Sequence, residues 1–339
     1  MNILLTSVGR RTYLLNYFKD ALGDDGKIFA SNSEYTYALS QANDYVLTPL
    51  IYSKNYIDFL IDYCQKNHIT VLISLFDIDL MVLAKNKQKF AKHGITVIVS
   101  DERAIDNCND KWKTFEFLKS INISTPETYI DFDSAKQAIK DGKIKFPLII
   151  KPRFGMGSIG IYTADNQNEL EVFYHKVKNE IANTYLKYES GVDIEHSVLV
   201  QTKIIDDDFG LEIINNLNGG YETVIAKRKF AMRAGETDIA EIIDSGPFEA
   251  TAKKLSQELG HISLLDVDCF YHHGEVMILE MNARFGGMYP FAHLAGVNLP
   301  KQLIKWLKGE STDPQLLSAK IGVVGYKDLV PVIIPKEKS

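Results

Sequence analysis

No apolar run in this sequence approaches the roughly 20 residues needed to cross a bilayer. Positive charge is not in excess either: 38 Lys and Arg stand against 44 Asp and Glu, a formal net charge of −6. The first shortage argues against a membrane protein, and the second against a general affinity for nucleic acid. Cysteine is scarce. Cys64, Cys108 and Cys269 are scattered and outside any CxxC motif, which predicts reduced, buried thiols in a cytoplasmic protein. The opening MNILLTSVGRR places its arginines after its apolar residues and is too short for a secretory signal. A GxGxxG fingerprint is missing where Gly9 stands alone after the first apolar run, which argues against an NAD-dependent oxidoreductase. No GK[ST] follows the glycine-rich stretch, so it is not a P-loop, and no nucleophilic Ser or Cys constellation is visible.

What is present fills two or three domains, since 339 residues exceed one compact core. The first hundred residues alternate between short apolar runs (3–5, 27–30, 45–47, 71–75, 96–99) and helical spacing (57–66, 80–92). That alternation predicts a parallel sheet covered by helices. A second unit starts near Asn109 with a helix marked by Trp112, Phe115 and Leu118, then a buried strand at 148–151, glycines at 155, 157 and 160, another strand and a helix over 168–181. From Val198 the signals are antiparallel: VLVQTKII, GLEIINN, a Gly219-Gly220 turn and TVIAKRKF, then a helix over 248–259. A last hairpin, 265–271 with 275–282, closes through His272–Gly274, where both histidines read as solvent-exposed. The Lys-rich end after Pro335 reads as frayed.

The chemistry concentrates in LLDVDCF and MILEMNARFGG. Residues two apart on a strand share a face, so Glu280 and Asn282 point the same way and the hairpin can bring Asp268 beside them. Three oxygen donors on one face suit Mg²⁺, and Arg284 can neutralise a transferred phosphoryl group. An isolated E-x-N-x-R is more often a solvated strand face, so its weight comes from company. KPRFGMGSIG puts Lys151 at a strand end before three glycines whose N–H groups can wrap a polyphosphate. Lys111, at a helix start, is a second candidate cation; alone it would read as solvated. Gln201–Ile204 ends an apolar strand on polar residues able to meet an adenine edge. Arg10, Arg11, Asp77 and Asp79 follow strands at the carboxyl edge of the first sheet, where ligands of open α/β sheets bind.

The order Asn-Asp-Lys111, Pro-Leu-Ile-Ile-Lys151-Pro with its glycines, Val200-Gln201, Asp268 and Glu280-Met-Asn282-Ala-Arg284 resembles the ATP-grasp ligases, nearest to relatives of the carbamoyl phosphate synthetase large subunit. The resemblance covers nearly the whole chain. It implies a mixed α/β and α+β architecture: a Rossmann-like pre-ATP-grasp domain (1–108), a lid subdomain with the glycine loop (109–200), a C-terminal antiparallel-sheet subdomain (201–325) and a tail (326–339). It implies ATP with Mg²⁺, or Mn²⁺ in its place, and small-molecule carboxylate and amine substrates, with a homodimer as a common assembly. By position, Lys111 and Lys151 would contact phosphate, Gly155, Gly157 and Ser158 would form the lid loop, and Gln201, Thr202, Lys203 and Ile204 would face adenine. Asp208 would bind ribose; Asp268, Glu280 and Asn282 would hold the metal; Arg284 would stand beside the phosphoryl group. Arg233 and Glu236, in MRAGETD, are expected to close over the substrate. A kinase on the same fold and a non-catalytic nucleotide-binding module are the competing expectations.

Overall fold

The computed structural model describes residues 1–155, 159–184, 186–233 and 235–334. The N-terminal sheet has the order β3-β2-β1-β4-β5 and is parallel throughout. Its strands are β1 (Asn2–Thr6), β2 (Lys27–Asn32), β3 (Asp44–Leu47), β4 (Val71–Ser74) and β5 (Thr96–Ile98). Between them run α1 (Thr12–Leu22), α2 (Tyr37–Ser40), α3 (Tyr56–Lys66) and α4 (Asp77–Lys92). The chain winds to one side of β1 and then to the other, so the switch point lies between β1 and β4, with Arg11 and Asp77 on the segments that leave those strands. α5 (Glu102–Asn109) and α6 (Lys111–Ser120) lead out of this unit, each started by an aspartate whose carboxylate accepts backbone N–H groups: Asp101 for α5 and Asp110 for α6.

A four-stranded antiparallel sheet follows, in the order β6-β9-β7-β8. It comprises β6 (Thr128–Tyr129), β7 (Leu148–Pro152), β8 (Tyr162–Ala164) and β9 (Val198–Thr202), with helices α7 (Phe132–Lys140), α8 (Gln167–Asn183) and α9 (Lys187–Ser190). Leu148, Ile150, Leu170, Val177 and Val198 form a separate core for this unit. Residues 198–202 pair with β7 as one strand, and the expected division at 200/201 therefore cuts through β9.

The third sheet, β14-β13-β10-β11-β12-β15, is antiparallel. Its strands are β10 (Asp208–Asn215), β11 (Tyr221–Arg233), β12 (Glu236–Ile243), β13 (Ser263–His272), β14 (Glu275–Asn282) and β15 (Val324–Tyr326). α10 (Gly246–Leu259) covers it, and α11 (Tyr289–Leu294) and α12 (Leu299–Leu307) follow. MRAGETD is the hairpin between β11 and β12, with Arg233 opposite Glu236. The expected tail begins inside the third sheet, where Tyr326 pairs with Ile239 and Lys327 N–H donates to the Asp238 carbonyl; the stretch after Pro335, expected to fray, lies outside the described residues. Leu4, Leu72 and Leu83 of the first unit share a core with Leu211, Val267 and Ile278 of this sheet, which fixes the two together. Among the described residues no helix is long and apolar enough to cross a membrane.

Candidate active site

A cavity of about 470 Å³ opens where the three units meet. Lys111 and Lys151 line it, and so do Asp208, Asp268, Glu280, Asn282 and Arg284. The acidic row is a consequence of register. Asp268 pairs with Glu280 and Asp266 with Asn282, and the strand period of two puts all four on the cavity face.

The two lysines arrive from different units and are held by different devices. Asp110 caps α6 and also receives Arg153 from the end of β7, Nε to Oδ1 at 2.8 Å and Nη2 to Oδ2 at 2.7 Å. Lys111 N–H donates to the Arg153 carbonyl at 3.2 Å, so the start of α6 is tied to the second sheet. Lys111 Nζ then donates to the Gly155 carbonyl and stands 3.5 Å from Glu280 Oε1. Lys151 is buried at the end of β7, and its Nζ donates to Gln201 Oε1 at 2.8 Å. Burial, then the charge of Lys111, pushes the Lys151 ammonium down to about 8. An arriving polyphosphate would raise it again.

Gln201 is turned away from the role expected of it. Its Oε1 accepts from Lys151 and its Nε2 donates to Thr128 Oγ1 at 2.8 Å, so both ends of the amide are engaged within the sheet. Gln201 thus orients Lys151; Gln201, Thr202, Lys203 and Ile204 do not line the cavity. Arg233 also departs from expectation. Register shifts at Lys229/Ala231 and Ala231/Met232 turn the end of β11, and the Arg233 guanidinium pairs with Asp238 outside the cavity lining. Glu236, on the returning strand, does line it. Gly155 borders the cavity at φ +120, a conformation that disfavours a side chain, and an added Cβ would meet Leu186 Cδ2 at 2.7 Å. Gly157 and Ser158 lie outside the described residues.

Two groups escaped the sequence reading. Lys229 reaches from β11 to Asp268 Oδ1 at 2.5 Å and Asp208 Oδ1 at 3.0 Å. Burial opposes its charge, but the two carboxylates outweigh burial and hold its pKa above that of an ordinary lysine. Asp266 is buried behind Asp268, and burial followed by the Asp268 charge pushes it up to about 7. The alternation in LLDVDCF and in AKRKF was the available signal for both. Arg284 is buried against Asp77, Nε to Oδ1 at 2.6 Å; burial would lower its pKa, but Asp77 raises it above an ordinary arginine.

The donor set fits a hard cation. Asp268, Glu280 and Asn282 offer only oxygen from carboxylates and an amide carbonyl, with no sulfur or imidazole. This suits Mg²⁺, which completes its coordination with water and phosphate oxygens.

A parallel-sheet domain, a separately packed lid and an antiparallel sheet with an acidic row facing two lysines define the ATP-grasp class. The family profile described as ATP-grasp domain matches residues 108–288, and that described as PylC-like, N-terminal domain matches residues 3–98. The chain belongs to the ATP-grasp ligase family. A carbamoyl-phosphate synthase of Methanobrevibacter smithii is 25% identical over 260 residues, 72% of this chain and 65% of that protein. The carbamoyl phosphate synthase large chain of Campylobacter jejuni is 22% identical over 218 residues, 63% of this chain and 20% of the relative. The chain thus spans less than two thirds of these relatives' lengths. Among solved structures, biotin carboxylase from Campylobacter jejuni in a β,γ-ATP complex superposes with a TM-score of 0.74 at 18% identity, covering 95% of this chain and 74% of that one. An L-amino acid ligase from Bacillus licheniformis gives 0.74 at 17% identity, covering 98% and 81%. At such identities the likeness is one of fold.

Proposed function

We propose that this chain is an ATP-dependent ligase that activates a small carboxylate as an acyl phosphate and transfers the acyl group to an amine, releasing ADP and phosphate. The observation that carries this reading is the convergence of Lys111 and Lys151 with Asp268, Glu280 and Asn282 on one cavity. Lys151, from the lid sheet, and Lys111, from the start of α6, hold the triphosphate. Asp268, Glu280 and Asn282 would hold Mg²⁺, which would supply charge neutralisation on the phosphate oxygens.

Arg284, fixed by Asp77, faces the developing charge on the phosphoryl group. A carboxylate oxygen attacks the γ-phosphorus; the bond to the β,γ-bridging oxygen breaks and its electron pair leaves with ADP. The amine then attacks the acyl carbon, the C–O bond to phosphate breaks, and the amine's surplus proton goes to solvent or phosphate. The separately packed second sheet is the body that closes and excludes water from the acyl phosphate.

The test is phosphate release from Mg-ATP across carboxylates crossed with amines. Turnover that requires both co-substrates supports a ligase, and release of ADP with the carboxylate alone, leaving a stable phosphorylated product, points to a kinase. Glu280→Ala should reduce turnover by more than the ~10–100-fold typical of outer-shell substitutions at metal sites. Hydrolysis by that variant at the parent rate would remove the metal assignment.

A further inference from the structure

Most charges in the cavity are matched. Lys229 pairs with Asp208 and Asp268, Lys111 with Glu280, and Arg284 with Asp77. Among the described residues two cavity cations form no ion pair: Lys151, whose Nζ meets the Gln201 amide, and Arg11, whose Nη1 donates to the Leu75 carbonyl. They stand on different walls, Lys151 on the lid sheet and Arg11 at the carboxyl edge of β1. The triphosphate accounts for Lys151. It leaves Arg11 unexplained.

Arg11 is held in a setting that disfavours its charge. Burial lowers its pKa, and the like charge of Arg284 lowers it further. Because Asp77 is already committed to Arg284 through both carboxylate oxygens, the space served by the two guanidiniums lacks an anion of its own. An acid stands nearby: Glu236, at the start of β12, lines the same cavity, and its charge is felt by both Arg11 and Tyr13. Its side chain is 59% exposed and meets Lys327 Nζ only at 3.5 Å. Gly287 borders this corner, where a Cβ would make ordinary van der Waals contact with Glu236 and Lys327.

A cavity lined by both an unmatched guanidinium and a loosely held carboxylate suits a ligand of both signs. Resting on the ligase reading above, we infer that the activated carboxylate is that of an α-amino acid, bound with its carboxylate between Arg11 and Arg284 and its ammonium at Glu236. Glu236 also keeps the ammonium protonated, so the α-amine of the bound molecule is not a nucleophile. The nucleophile then comes from a second molecule.

The experiment uses the full chain with Mg-ATP and hydroxylamine, which intercepts any acyl phosphate as a hydroxamate and so frees the readout from the unknown amine. Probes are L-amino acids paired with their desamino acids, such as L-alanine with propionate and L-glutamate with glutarate. At least one pair should show a preference in kcat/KM of about tenfold or more for the amino form, because an unmatched Glu236 penalises the desamino ligand. Glu236→Gln should shrink that preference below about threefold, and Arg11→Met should raise KM for the amino acid at least about tenfold with little change in KM for ATP. Equal use of every pair, or a preference untouched by Glu236→Gln, overturns the inference. If no carboxylate yields hydroxamate while Mg-ADP still binds, the ligase reading fails. Calorimetric titration of the same amino acids into the Mg-ADP complex then decides the site by itself: binding weakened in Arg11→Met supports it, and no binding of any amino acid overturns it. Should Arg11→Met not fold, Glu236→Gln carries both arms.

Discussion

Arg284 and Asp77 form a bidentate ion pair between the last hairpin and the first turn of α4, across 207 positions of sequence. Both side chains are nearly buried, at 8% and 9% exposure, so neither charge has water to fall back on. The pair fixes the arginine relative to the acidic row and fastens the antiparallel sheet to the N-terminal unit. Asp77→Ala should therefore destabilise the protein by about 3–5 kcal/mol, because it strands a buried guanidinium. Asp77→Ala/Arg284→Met should recover part of that stability and none of the turnover. Urea unfolding of the three variants measures the first claim and ATP turnover the second. A single variant as stable as the parent would show that the pair does not fasten the units.

Lys229 stands against Asp268 and Asp208 as a resident counter-ion for the acidic row. Lys229→Met removes it and leaves Asp208, Asp266 and Asp268 facing the cavity without that charge. The lysine is 3% exposed but its partners are 31% and 37% exposed, so solvent screening discounts the loss to about 1–3 kcal/mol. Added Mg²⁺ should then raise the melting temperature of Lys229→Met more than that of the parent, since the metal takes over the neutralising role. Thermal unfolding with chelator and with Mg²⁺ checks this; equal Mg²⁺ responses in the two proteins contradict it.

The parts of the site that could be read from sequence are those set by local period. Glu280, Asn282 and Arg284 follow one another at strand spacing, and the two-residue repeat alone puts the first two on one face. The same repeat puts Asp266 on the face of Asp268 and Lys229 on the cavity face of β11, yet the sequence alone named neither. The meeting of Lys111 with Lys151 is different in kind. It depends on Arg153 tying the lid sheet to the Asp110 cap, a contact 43 residues apart that no local pattern announces. The family resemblance supplied it. Strand β12 was missed because the bulges near Ala231 break the alternation at the start of the hairpin, and those bulges also turn Arg233 outward. Gln201 was assigned to adenine by position, and only its two hydrogen-bond partners show that the amide faces inward.

Gly286 is where the acidic row allows no side chain. A Cβ built there would lie 1.8 Å from Asp266 Oδ2 and 2.1 Å from its Cγ, closer than any packing tolerates. Gly286→Ala should cost about 1–3 kcal/mol as an overpacking change and displace Asp266 within the row. Placing Asp266→Ala on the same background removes the clash, so the two substitutions should be strongly non-additive. A double-mutant cycle by urea unfolding, with Mg-ADP affinity measured alongside, reads both effects. Additive losses would show that the glycine and the carboxylate are independent.

His261 gives a pH dependence whose sign can be worked out. The ring is fully buried; Nε2–H donates to the Ile213 carbonyl at 3.2 Å, while Nδ1 has no partner. Protonating Nδ1 would create a buried N–H without an acceptor, and burial accordingly pushes the pKa down to about 4 from an ordinary 6.5. With the folded value depressed, the neutral ring's contribution is intact above the unfolded value. Between 6.5 and about 4 the unfolded chain takes up a proton that the folded chain refuses, so stability falls across that window and levels off below it. At about 1.4 kcal/mol per unit, the loss attributable to this one residue is about 3 kcal/mol. Asp266 works in the opposite direction, since its raised value makes the folded state the better proton acceptor between roughly its unfolded value and neutrality. The two effects are separated by comparison with His261→Gln, whose amide can still donate to Ile213 but does not titrate. The difference in unfolding free energy between parent and His261→Gln should be flat from pH 8 to about 6.5 and shift against the parent from there to about pH 4. Urea titrations at half-unit pH steps measure it, and a difference that stays constant across the window would mean that His261 titrates like an exposed histidine.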